Sequence, residues 1–112
     1  QIQRAAQILK SELATPLTIK DLAKKVGTNA TKLQEGFRVN FGTTVNNYLN
    51  KIRLEFARDQ IMLGELNISE IAQHIGIVNK SYFTRLFKST YHLNPKEFAK
   101  KVAKNHQIEK NL

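Results

Sequence analysis

The chain has 112 residues, 41% of them hydrophobic, and its 18 Lys and Arg oppose nine Asp and Glu for a net charge of +9. That length builds one small core or two very small ones, and that charge holds phosphate polyanions or an anionic membrane surface close. With no cysteine, disulfide scaffolds, thiolate zinc sites and cysteine nucleophiles are excluded; with no apolar run near the ~18 residues of a membrane span and no signal-peptide stretch, a soluble cytoplasmic protein is expected.

Five Gly and two Pro are all the punctuation there is, and strand-like alternation is weak, so the fold class expected is all-α. Ile2, Ala5, Ala6, Leu9 and Leu13 recur at helical spacing and make a first amphipathic helix, closed before Thr15-Pro16. Thr18, with Asp21 three positions on, has the pattern of an N-cap, and Ile19, Leu22, Ala23 and Val26 line one face of the short helix that follows. Gly27 ends it, as a residue free to adopt positive φ.

IKDLAKKVG (19–27) recurs as ISEIAQHIG (68–76) at an offset of 49, with Asn67 and Glu70 in the places of Thr18 and Asp21. After one extra residue in the second turn the offset becomes 50, and Asn29, Thr31, Leu33, Phe37, Arg38 and Phe41 correspond to Asn79, Ser81, Phe83, Phe87, Lys88 and Tyr91. Two copies are too few for a solenoid. They have the form of a duplicated helix-turn-helix, in which a short helix, a tight turn and a longer second helix follow one another.

Between the copies, Val45, Tyr48, Leu49, Ile52 and Phe56 form one apolar stripe, and Leu54, Ala57 and Ile61 form another on a different side. A helix apolar on two sides is held by two bodies, which divides the chain into a first subdomain (1–43), a linker helix (44–63) and a second subdomain with a C-terminal helix (64–112). About 20 residues of helix span roughly 30 Å. One DNA turn is about 34 Å, so two reading heads in successive major grooves are expected. Asn94-Pro95-Lys96-Glu97 starts a last helix with an N-cap, a proline at N1 and an acid at N3; it is expected to fray near Asn105.

Advancing 100° per residue separates two faces on each longer helix. Leu33, Gly36, Phe37 and Phe41 point inward in the first copy; Phe83, Leu86, Phe87 and Tyr91 do so in the second. Because the N-terminal part of the second helix of such a motif meets base edges, the expected base contacts are Thr31, Lys32, Gln34 and Glu35, then Ser81, Tyr82, Thr84 and Arg85. Arg85 suits guanine O6 and N7, Gln34 suits adenine, and Glu35 can accept from cytosine N4. Asn29, Arg38, Asn79, Lys80 and Lys88 are the expected phosphate contacts, which position without specifying.

No Ser/His/Asp or paired-carboxylate arrangement suggests an enzyme, and His74, His92 and His106 lack metal-ligand spacing; neither a catalytic residue, a metal nor a cofactor is expected. Lys100, Lys101 and Lys104 make the last helix basic, but its apolar face is poor for a membrane surface. The alternative kept open is a basic helical protein-interaction module without specific DNA readout.

Arg53-Leu54, Ala57, Ile68, Glu70-Ile71-Ala72, Gly76, Ser81-Tyr82-Phe83, Arg85, Phe87-Lys88, Pro95 and Phe98 together resemble the DNA-binding domain of the AraC/XylS family of bacterial transcription regulators, a likeness that runs from about Leu17 to Phe98. The resemblance implies about seven homeodomain-like helices, double-stranded DNA as partner, and promoter binding that usually activates transcription through RNA polymerase. It also implies an N-terminal effector or dimerisation domain outside this chain, with which a start at Gln1 agrees. Four positions depart from the family pattern. Ile77 replaces an aromatic, Ala99 an arginine, and Gly36 leaves a core-facing position without a side chain. His92 stands where the family has a glycine, and positive φ is expected there.

Overall fold

The computed structural model describes residues 1–15 and 17–110, of which 106–110 are described as helical backbone alone. Pro16 therefore lies outside the described residues. Seven helices follow one another, with no strand among the described residues: α1 (Ile2–Ser11), α2 (Ile19–Lys25), α3 (Ala30–Phe41), α4 (Val45–Leu63), α5 (Ile68–His74), α6 (Lys80–Tyr91) and α7 (Pro95–Lys110). The last helix thus continues past Asn105, where fraying is expected from sequence.

Side-chain caps explain where these helices start. Oxygens of Thr18, Asn29, Thr44, Asn67, Asn79 and Asn94 each accept the backbone N–H three positions on, at the starts of α2 to α7. For α5 and α7 the acid at N3 completes a capping box, since Glu70 accepts from the Asn67 N–H and Glu97 from the Asn94 N–H. Each cap satisfies a donor that has no partner inside the helix, worth about 1 kcal/mol.

The two turns are built alike. Gly27 (φ 81°) and Gly76 (φ 75°) donate to the carbonyls of Lys24 and Gln73, and the next residues, Thr28 and Ile77, donate to Ala23 and Ala72. This is the paired 5→2 and 6→1 arrangement of a Schellman motif, which needs a left-handed residue at its centre. Val78 is the extra residue of the second turn and is 92% exposed.

The chain forms two compact units, one of Gln1–Arg53 and one from Leu54 on, with the division inside α4. In the first, α1 contributes Ala5, Ala6 and Leu9, the helix-turn-helix contributes Leu22, Leu33 and Phe37, and the start of α4 contributes Val45, Tyr48, Leu49 and Ile52. Arg53 Nε donates to the Leu13 carbonyl at 2.9 Å, tying the segment after α1 to α4. In the second, Leu54, Ala57 and Ile61 come from the rest of α4, Ile71, Ile75, Phe83 and Phe87 from the helix-turn-helix, and Phe98 and Ala99 of α7 pack against them. Phe56 packs in the second core. The stripe reading that groups it with Ile52 is corrected, because α4 changes cores between Ile52 and Leu54.

The internal correspondence runs further than the two motifs. Thr44, Val45 and Tyr48 at the start of α4 stand 50 residues before Asn94, Pro95 and Phe98 at the start of α7, and the same cap opens both helices. The aromatic partners match as well, Phe37 with Tyr48 at 5.2 Å and Phe87 with Phe98 at 5.5 Å, both edge-on. Each motif is therefore closed by a third helix that presents one aromatic ring to its central phenylalanine.

Candidate nucleic-acid interface

Fully buried Leu33 and Phe37 fix the rotation of α3, and Phe83 and Phe87 fix that of α6. Since side chains about half a turn from a buried residue point to the other side of a helix, the opposite faces of α3 and α6 are turned outward. Thr31, Lys32, Glu35 and Arg38 are exposed on α3, as are Lys80, Ser81, Tyr82, Arg85 and Lys88 on α6. Tyr82 keeps 43% of its surface in solvent although it is aromatic. Gln34 and Thr84, at the edge between faces, are half-buried.

Three side chains have structural duties that helical periodicity does not reveal. Gln34 Oε1 accepts the Val45 N–H at 3.0 Å, adding a second side-chain cap to the start of α4. Bidentate pairing with adenine needs both ends of the amide, so Gln34 would have to release that bond to make it. Asn29 and Asn79 each use Oδ1 as the N-cap of a reading helix, at 2.9 Å and 3.0 Å, which leaves their Nδ2 groups as the donors facing outward chemistry.

Gly36 is not a simple gap. A Cβ placed there would overlap the Ile2 side chain, so α1 packs against the bare backbone where Leu86 sits in the second copy. The helix ends are matched by Gly42 and His92, both left-handed C-caps, with φ of 70° and 67°. His92 thus takes the positive φ expected of it, at the strain a Cβ brings.

Arg58 is withdrawn from the basic surface. It pairs with Asp59 at 3.1 Å and lies over the Tyr91 ring, 5.7 Å from its centroid. The hydrogen bond to Asp59 holds the Arg58 guanidinium above its usual range, while burial pushes the Tyr91 phenol up. Sequence reasoning also passed over Lys20 and Lys24, which line an open concavity between α2 and α3 together with Thr31, Lys32 and Glu35. Their i, i+4 spacing on α2 was the available signal. Among the described residues, no group of three or more His, Cys, Asp or Glu could hold a metal, and no helix is long and apolar enough to cross a membrane.

Residues 22–101 match the family model of a helix-turn-helix domain. The chain is 30% identical to the "Probable thc operon regulatory protein" of Rhodococcus erythropolis, covering 86% of this chain and 30% of that protein. It is 27% identical to the "Transcriptional activator NphR" of Rhodococcus sp, covering 92% and 31%. It therefore spans less than a third of the length of these curated relatives. Among solved structures, the C-terminal domain of AraT, a response regulator from Geobacillus stearothermophilus, aligns with a TM-score of 0.81 at 26% identity, covering 89% of this chain and 84% of that one. An AraC-type DNA-binding domain-containing regulator from Chromobacterium violaceum has the same fold, at a TM-score of 0.84 and 22% identity over 91% of each chain.

Proposed function

This chain belongs to the AraC-type helix-turn-helix family of DNA-binding transcription regulators, and from that premise we propose that the exposed faces of α3 and α6 each enter a major groove and read bases there. The observation that carries this reading is the pair of polar faces on matched scaffolds. Leu33 and Phe37 on one helix and Phe83 and Phe87 on the other are buried at matched positions, while the outward residues differ, with Glu35 in the place of Arg85.

The chemistry of each position assigns its part. Arg85 donates bidentately to a guanine, and Glu35 accepts from a cytosine N4–H. Thr31, Lys32, Ser81, Tyr82 and Thr84 make the remaining base or mixed contacts. Gln34 serves first as the cap of α4 and reaches DNA through its Nε2 alone. Arg38, Lys80 and Lys88 neutralise phosphates, and the Nδ2 groups of Asn29 and Asn79 donate to them. The whole regulator, in this reading, is a cytoplasmic activator that contacts RNA polymerase and carries an effector or dimerisation domain N-terminal to this chain. The activator among its relatives supports the direction of regulation, and the small share of their length that this chain spans supports a further domain.

A salt titration tests the proposal. Affinity for a selected duplex should fall by roughly 0.9 log units per log unit of salt for each phosphate neutralised, and a random duplex should bind far more weakly. Equal affinity for both duplexes would remove base reading and leave the protein-interaction alternative.

A further inference from the structure

The two units carry their charge differently. Gln1–Arg53 holds nine Lys and Arg against three acids, whereas the remainder holds nine against six. The contrast is sharpest at matched positions of the short helices, where Lys20 and Lys24 of α2 correspond to Ser69 and Gln73 of α5. Lys20 and Lys24 are exposed and line the same concavity as Lys32 and Glu35 of α3. Three ammonium groups and one carboxylate therefore line the concavity beside the reading helix. At the corresponding place α6 brings its own cations, Arg85 and, where α3 has Ala30, Lys80, while the short helix α5 offers Ser69 and Gln73.

We propose that Lys20 and Lys24 form a phosphodiester clamp, with Lys32 beside it, that anchors the first motif to the DNA backbone and has no counterpart in the second. This deepens the reading of α3 as a groove-facing helix and rests on it. Glu35 on such a face repels phosphates, and the clamp offsets that repulsion, so that an acid can sit there and accept from a cytosine. The second motif, lacking a lysine pair on its short helix, draws its attraction from Lys80, Arg85 and Lys88 of α6. Backbone anchoring thus draws on the short helix in the first motif alone.

The test compares Lys20→Gln/Lys24→Gln with Ser69→Ala/Gln73→Ala, all at exposed positions, by fluorescence anisotropy on a selected duplex and on a random duplex across a salt series. Loss of two phosphate contacts should lower the slope of log K against log salt by about 1.8. It should also weaken both duplexes by the same factor, so that their affinity ratio holds, while the Ser69/Gln73 variant keeps the parental slope. An unchanged slope in the lysine variant, or a loss confined to the selected duplex, overturns the clamp. An equal fall in both variants overturns its restriction to the first motif. A parent chain that binds neither duplex overturns the DNA-facing assignment itself, a result distinct from the others.

Discussion

Arg85 and Glu35 occupy the same place in two copies of one motif, and the physical chemistry of a base edge separates them. A guanidinium fork matches two acceptors of guanine, and a carboxylate matches a cytosine donor. Arg85→Ala should cost about 1–3 kcal/mol and relax the preference at one base pair. An equal loss on every duplex would mean that Arg85 touches only phosphate. His92 offers a second test at this scale, since the neighbouring copy uses Gly42 for the same left-handed cap. His92→Gly should raise stability by about 1 kcal/mol in denaturant unfolding, part of the relieved strain being offset by the greater chain entropy of glycine. A lower stability would show that the imidazole does more than tolerate its backbone. That strain was legible in sequence because the family that the chain resembles has a glycine at this position. The bond from Gln34 to Val45 was not, because its partner lies 11 residues away across a turn and no periodicity marks it.

Among the elements, both short helices, both turns and the inward face of each longer helix could be read from spacing, since a buried residue every three or four positions leaves a strong signal. The change of core along α4 was harder. Ile52 and Phe56 are four residues apart and share a stripe, yet they pack in different cores. The match between the starts of α4 and α7 was hidden by divergence, with Val45 against Pro95 and Leu49 against Ala99. Phe87 meets Phe83, Tyr91 and Phe98 at ring distances of 6.0, 4.7 and 5.5 Å. Phe87→Ala should accordingly destabilise the second unit by about 3–5 kcal/mol. A variant of parental stability that had lost only DNA affinity would take Phe87 out of the core. Packing of α1 on α3 yields a further expectation. Gly36→Ala should gain none of the ~1 kcal/mol that alanine offers a helix, because the new methyl meets Ile2; in an Ile2→Ala background the gain should return. Equal effects in both backgrounds would mean that Ile2 yields without cost.

At the scale of the molecule, a chain of this size assembles two small cores instead of one, and each holds a helix whose outer face is polar. Burying Leu33 and Phe37, or Phe83 and Phe87, is what aims Glu35 or Arg85 outward, so in the proposed reading stability and recognition are set by different faces of the same helices. The +9 charge supplies attraction to any nucleic acid. In the proposed reading, choice comes from the residue types on the two outer faces. Selection of bound duplexes from a random pool, repeated with Arg85→Ala, tests this most directly. Two separate blocks of preferred base pairs are expected, one of which loses its guanine preference in the variant. A single block, or a pool that binds without enrichment, would contradict the claim that both helices read bases.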